Sequence, residues 1–178
     1  MGVHSQTAGF VQQLTKHLEG PLLIDADGLN NLDVETLKKR LGIAVITPHP
    51  RELSRLSGQS VAEIQESRIT TVRRLSQEWN VVLLLKGAFT VIGSPDARVF
   101  INPTGNSALS TAGSGDVLSG FIGAFLAQGL SPLNAALTGT FLHGLAADRF
   151  VEQNDSSYMV ASDLFEGLRL ARNSIKIH

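Results

Sequence analysis

The residues richest in chemistry lie in one run of small and polar side chains, Asn102-Pro-Thr-Gly-Asn-Ser-Ala-Leu-Ser-Thr-Ala-Gly-Ser-Gly-Asp116. The run follows a β-rich stretch and opens an apolar one, the order of a strand, a turn and a helix. Gly113 and Gly115 permit a tight turn and close approach of the backbone to a ligand. Beyond them the first-turn N–H groups of the helix have no intrahelical acceptor and carry the positive end of its dipole, an arrangement suited to phosphate. Asp116, at that helix start, is placed to touch both a phosphate acceptor and a substrate hydroxyl, and so to act as a base. The competing reading is that Asp116 caps the helix and the glycines only turn the chain. No Gly-Lys-Ser/Thr follows, so the run is not a Walker A loop.

Three more polar clusters stand just past apolar runs. Thr47-Pro-His-Pro-Arg-Glu52 places His49 between two prolines, either as a ligand-contacting imidazole or as a helix N-cap completed by Glu52. Lys86-Gly-Ala-Phe-Thr90 puts a cation straight after five aliphatic residues, where it neutralises phosphate or is a solvated strand end. Asp25-Ala-Asp-Gly-Leu-Asn30 offers two carboxylates that could hold Mg²⁺ or simply form an Asx turn. His143, inside an apolar stretch, reads as a core histidine. His4, His17 and His178 form no cluster, so no histidine metal site is expected.

The elements that must position these groups alternate between short β-rich runs and longer helical ones. Strands are expected at Pro21–Asp25, Ile43–Thr47 and Val81–Leu85. A hairpin follows, with Phe89–Ile92 and Arg98–Ile101 flanking Gly93-Ser-Pro-Asp96. A helix is expected over Thr7–Leu18. Asp33 caps a short one with Val34, Leu37 and Leu41 on one face. Pro50 fits a first helical position, and Ser60-x-x-Glu63 is a capping box opening a helix that runs to Trp79. From Asp116 to Gln128 the chain is apolar or small nearly all round, which predicts a buried helix stopped by Gly129. Ser131 and Pro132 start another, to about Asn154, and Ser162 or Asp163 a last one through Leu170. This order predicts an α/β fold with a mainly parallel sheet flanked by helices.

Composition removes several function classes. The 178 residues carry 43% hydrophobic and 17% charged side chains, enough apolar content for a core. A net charge of −1 supplies no basic field for nucleic acid. The longest aliphatic run, Val81–Leu85, cannot span a bilayer, and the first residues have no secretory h-region, so a cytoplasmic address is the default. With no cysteine, disulfides and thiolate chemistry are excluded.

Taken together, Asp25–Asn30, Thr47–Glu52, Leu85–Thr90, and Pro103-Thr-Gly-Asn106 running into Thr111-Ala-Gly-Ser-Gly-Asp-Val-Leu-Ser-Gly120 resemble the ADP- or ATP-dependent NAD(P)H-hydrate dehydratases of the ribokinase-like superfamily. The resemblance implies a metabolite-repair enzyme that couples dehydration of NADHX or NADPHX to cleavage of ADP or ATP, with Mg²⁺ whose ligands are not assigned. It implies that Asp116 is the base and also touches the hydrated cofactor, which His49 contacts. It implies a nucleotide site made of Lys86, Gly87, Ala88, Phe89 and Thr90 with Gly113, Ser114 and Gly115. Arg51 stands where the family often has Gly, Ser107–Ser110 where it often has Pro-Gly-Met-Ala, and Ala112 where it often has Gly. The family's domain begins well before the segment matching Pro21. The expectation is therefore a single partial ribokinase-like domain over residues 1–178, with an exposed sheet edge that favours a homo-oligomer. Two rivals are a small-molecule kinase of the same fold and a non-catalytic nucleotide-binding remnant.

Overall fold

A computed structural model describes residues 4–155 and 158–174; His178 lies outside them. Its centre is a five-stranded sheet in the order β1 (Leu22–Ile24), β2 (Ala44–Ile46), β3 (Val81–Leu85), β4 (Val91–Gly93), β5 (Val99–Ile101). The first three strands are parallel, in register Leu22–Ala44–Val81, and the last two form an antiparallel hairpin tail. β3 is buried at every residue, which is why it reads as an unbroken apolar run rather than an alternating one.

Alternate residues of each strand feed two cores. Ile24, Ile46, Leu83 and Leu85 face one layer of helices: α1 (Ser5–His17), α3 (Val34–Lys38), α4 (Pro50–Ser57), α5 (Val61–Glu66) and α6 (Arg68–Trp79). The opposite side, Val45, Val82, Leu84 and Ile92, packs on α7 (Ser114–Ala127) and α8 (Pro132–Val151). A one-turn α2 (Asp27–Asn30) follows β1, and α9 (Asp163–Ser174) packs Leu164 against Ala146 and Ala147 of α8.

Local signals placed many ends correctly. The Asp33 side chain accepts from the Glu35 N–H, Ser60 and Glu63 form the expected capping box, and Gly129 ends α7 with φ 89°. Four expectations are corrected. The helix from Ser60 to Trp79 is two helices, because Ser67 leaves helical geometry at φ −128°. α3 ends at Lys38, so Leu41 is 94% exposed instead of on its buried face. The hairpin's first strand starts at Val91, because Phe89, at φ 52°, lies in a turn. α7 starts at Ser114 and is not buried all round: Gly120, Ala124 and Ala127 are exposed.

The loop after β5 is seated on α8 by a glycine. A Cβ on Gly144 would stand 2.6 Å from the Thr104 carbonyl carbon and 2.7 Å from its oxygen, so the two backbones touch where only hydrogen fits. Gly144→Ala must push this loop off α8. We expect a loss of about 1–3 kcal/mol, seen as a fall in denaturation midpoint with an unchanged slope.

Candidate functional site

The parallel strands deliver their polar ends to one edge. The Thr47 N–H donates to the Ile24 carbonyl (3.2 Å) and the Lys86 N–H to the Pro48 carbonyl (3.0 Å), so the ladder continues until Asp25, Thr47–His49 and Lys86 lie side by side. In an open α/β sheet this carboxyl edge is where ligands bind.

Asp25 and Lys86 dominate the edge. The Lys86 ammonium donates to Asp25 Oδ1 at 2.8 Å and stands 3.9 Å from Glu52 Oε2. The Ser119 hydroxyl of α7 donates to Asp25 Oδ2 at 2.7 Å. Burial pushes the Asp25 carboxyl up, but donation from Lys86, Ser119 and Thr47, with the Lys86 charge, outweighs it and holds the group below its ordinary value. The same ammonium faces the start of α7: a Cβ on Gly115 would lie 3.7 Å from Lys86 Nζ. Lys86 is therefore not the lone cation or solvated strand end that its sequence position suggests. It sits between two carboxylates and a helix N-terminus.

α7 begins as expected from its glycines. Gly113 is the N-cap at φ 85°, a backbone that side chains resist. The N–H groups of Gly115 and Asp116 fall in the first turn, where no earlier carbonyl of the helix can receive them. Asp116 is in that turn too, exposed, and among the described residues its side chain makes no hydrogen bond or ion pair. Ser114 is buried, and its carbonyl lies 3.0 Å from His143 Nε2 of α8. His143 packs edge-on against Phe121 at 6.0 Å, so it is the satisfied core histidine expected, and it steadies the helix that carries Asp116.

His49 is the N-cap of α4. Its Nδ1 accepts from the N–H groups of Arg51 and Glu52, both at 3.1 Å, while Glu52 accepts from the His49 N–H at 2.7 Å. The capping alternative is thus the observed geometry, and the imidazole is half-exposed beside the edge. Past Lys86, Thr90 donates to the Gly87 carbonyl at 3.0 Å and closes the turn. Gly87, at φ 138°, lies over the Arg68 guanidinium. Ala88 and the 71% exposed Phe89 turn away along a cleft of about 510 Å³ beside Arg68 and Ile69. A second cleft of similar volume, lined by Phe100, Leu137 and Phe141, is mainly apolar and carries no titratable side chain. Titratable groups gather at the sheet edge instead, so that edge is the candidate site.

Asp25 and Asp27 do not act as a pair: Asp25 reaches Lys86, while Asp27 accepts from Asn30 within its own turn. Two positions were missed in the sequence. Ser119 shares a helix face with Gly115, four residues earlier, a spacing that could have flagged it. Asp148, an acid in the apolar stretch of α8, receives the Gly105 N–H and the Asn106 side chain, both at 2.9 Å, and fixes the Thr104-Gly-Asn106 loop.

Comparison with known proteins gives one consistent result. A family model described as NAD(P)H-hydrate dehydratase matches residues 1–169. A bifunctional NAD(P)H-hydrate repair enzyme of Moorella thermoacetica is 46% identical over 164 residues, covering 91% of this chain and 31% of that protein. An ADP-dependent (S)-NAD(P)H-hydrate dehydratase of Neisseria meningitidis serogroup B is 41% identical, covering 91% of this chain and 56% of that one. The crystal structure of the ADP/ATP-dependent NAD(P)H-hydrate dehydratase from Bacillus subtilis, co-crystallized with ATP/Mg²⁺, superposes with a TM-score of 0.83 at 33% identity, over 91% of this chain and 58% of that one. A ribokinase from Thermotoga maritima, at 18% identity and TM-score 0.58 over 89% of this chain and 52% of that one, shares the fold alone. The chain thus spans about 30% to 60% of the length of the dehydratases and repair enzymes it matches.

Burial lowers the His143 imidazole from 6.5 to about 4, against a smaller upward pull from the Ser114 carbonyl. Between these values the unfolded chain binds a proton that the folded one refuses. Stability is therefore full above pH 6.5 and falls as the pH drops toward 4. Urea denaturation should find the protein roughly 2 kcal/mol less stable at pH 5 than at pH 7, and His143→Gln should remove most of that difference.

Proposed function

The chain belongs to the NAD(P)H-hydrate dehydratase family, and from that premise we propose that it dehydrates hydrated nicotinamide cofactor at the expense of ADP or ATP. In this reading residues 1–178 form part of one ribokinase-like domain acting in the cytoplasm. Among the described residues no helix is long and apolar enough to cross a membrane. The observation that carries the reading is the Lys86 ammonium beside Gly115 at the N-terminus of α7, a convergence of cation, backbone N–H groups and helix dipole suited to phosphate.

Asp116 takes the proton from the ring hydroxyl of NADHX or NADPHX as that oxygen attacks the terminal phosphorus of the nucleotide. The bond between that phosphorus and its bridging oxygen breaks, so the phosphoryl group passes to the ring oxygen and AMP leaves from ADP, or ADP from ATP. The C–O bond to the new phosphate then breaks, releasing inorganic phosphate, and the adjacent ring carbon gives up a proton to water as the ring double bond re-forms. His49 contacts the hydrated cofactor. Lys86, Gly113, Ser114 and Gly115 hold the phosphates, and Gly87, Ala88, Phe89 and Thr90 line the nucleotide. Among the described residues no set of three or more His, Cys, Asp or Glu converges. That suits Mg²⁺, which binds through one or two carboxylates plus substrate phosphates. Its ligands are not assigned, because Asp25 and Glu52 already flank the Lys86 ammonium; when bound with the nucleotide it would neutralise phosphate charge.

The test is the loss of NADHX absorbance in single turnover, with enzyme in excess and ADP present. Asp116→Asn should slow it by ~10²–10⁴-fold while leaving ADP affinity within a few-fold. Turnover near wild type would overturn the assignment, and a stable phosphorylated product would point to a kinase instead.

Association is the second expectation. β1 is an edge strand, and among the described residues nothing pairs with its outer side. With a net charge of −1 there is little repulsion between copies. Light scattering should report a species larger than 19.0 kDa; a monodisperse monomer would remove this expectation.

A further inference from the structure

Both oxygens of Asp25 are engaged, and by different elements. Oδ1 receives Lys86 at the end of β3, Oδ2 receives Ser119 one turn into α7, and Asp25 itself ends β1. The side chains are only 11% exposed for Asp25 and 21% for Lys86, so little water competes for either charge. Without this acceptor the long Lys86 stem has several rotamers, and Glu52, 3.9 Å away and held by the His49 N–H, is the other carboxylate that could draw the ammonium away from Gly115.

We propose that Asp25 is a positioning residue that clamps the Lys86 ammonium and the first turns of α7 into one phosphate-receiving geometry before nucleotide arrives. The proposal rests on the nucleotide reading above and adds a residue that acts through Lys86 and Ser119. It runs against simple electrostatics. Removing a carboxylate beside a phosphate site raises the local positive potential and by charge alone tightens an anion. If Asp25 is a clamp, its removal loosens the anion.

Calorimetric titration of the 178-residue chain with ADP in EDTA-containing buffer tests this without any contribution from a bound metal. Asp25→Asn should weaken ADP about tenfold, the equivalent of ~1.4 kcal/mol. Ser119→Ala, which keeps every charge, should weaken it about threefold. In a Lys86→Ala background, itself weakened, neither change should cost much more, since the clamp then has nothing to hold. Unchanged or tighter ADP binding by Asp25→Asn overturns the proposal, as does an undiminished loss in the Lys86→Ala background. Should Asp25→Asn fail to fold, Ser119→Ala decides: wild-type affinity there overturns the clamp. Absence of ADP binding by the unsubstituted chain overturns the nucleotide reading and the clamp with it, a result separate from failure of the clamp alone.

Discussion

The largely buried ion pair between Lys86 and Asp25 is the contact on which the site's geometry depends. Its partners are 61 residues apart, and it joins the first and third strands across the second. With Ser119 it also ties both strands to the helix on one face of the sheet. A charge pair so placed is a costly choice for stability alone, because desolvation consumes much of the Coulomb gain. Here it does something an apolar contact could not: it holds an ammonium at the sheet edge, next to the first-turn N–H groups of α7.

Small residues let the helices come close enough for that arrangement to be rigid. A Cβ on Gly139 would stand 3.0 Å from the Ile122 nitrogen, so α7 and α8 meet backbone to backbone. Gly144 does the same for the loop after β5, and Asp148 then fixes that loop through Gly105 and Asn106. The glycines thus divide into two kinds. Gly113 and Gly129 supply positive φ at helix ends, whereas Gly139 and Gly144 supply proximity within a helix.

This division marks how far the sequence could be read. Caps, stops and strand runs are local: Asp33, Ser60 with Glu63, Gly129 and Ser131 with Pro132 all act within four residues, and all were legible. The succession of strands and helices along the chain followed from the spacing of apolar runs, and the family from four motifs at strand ends. What escaped is non-local. No pattern says that Asp25 will meet Lys86 rather than Asp27, that Ser119 will turn inward to Asp25, or that Asp148 will hold Gly105 across 43 residues. The break at Ser67 escaped for another reason. The apolar spacing continues on either side of it, so periodicity alone joins α5 and α6.

One consequence concerns which kind of group the His49 ring can meet. Nδ1 accepts two main-chain N–H groups at the head of α4, so that nitrogen carries no proton and the ring is held as a single tautomer. The proton must then reside on Nε2, at the partly exposed end of the imidazole, with Glu52 Oε1 3.5 Å away. An incoming molecule therefore encounters a hydrogen-bond donor whose direction is set by a helix terminus. In the proposed site such a ring favours carbonyl, ether or phosphate oxygens and offers nothing to an ammonium group.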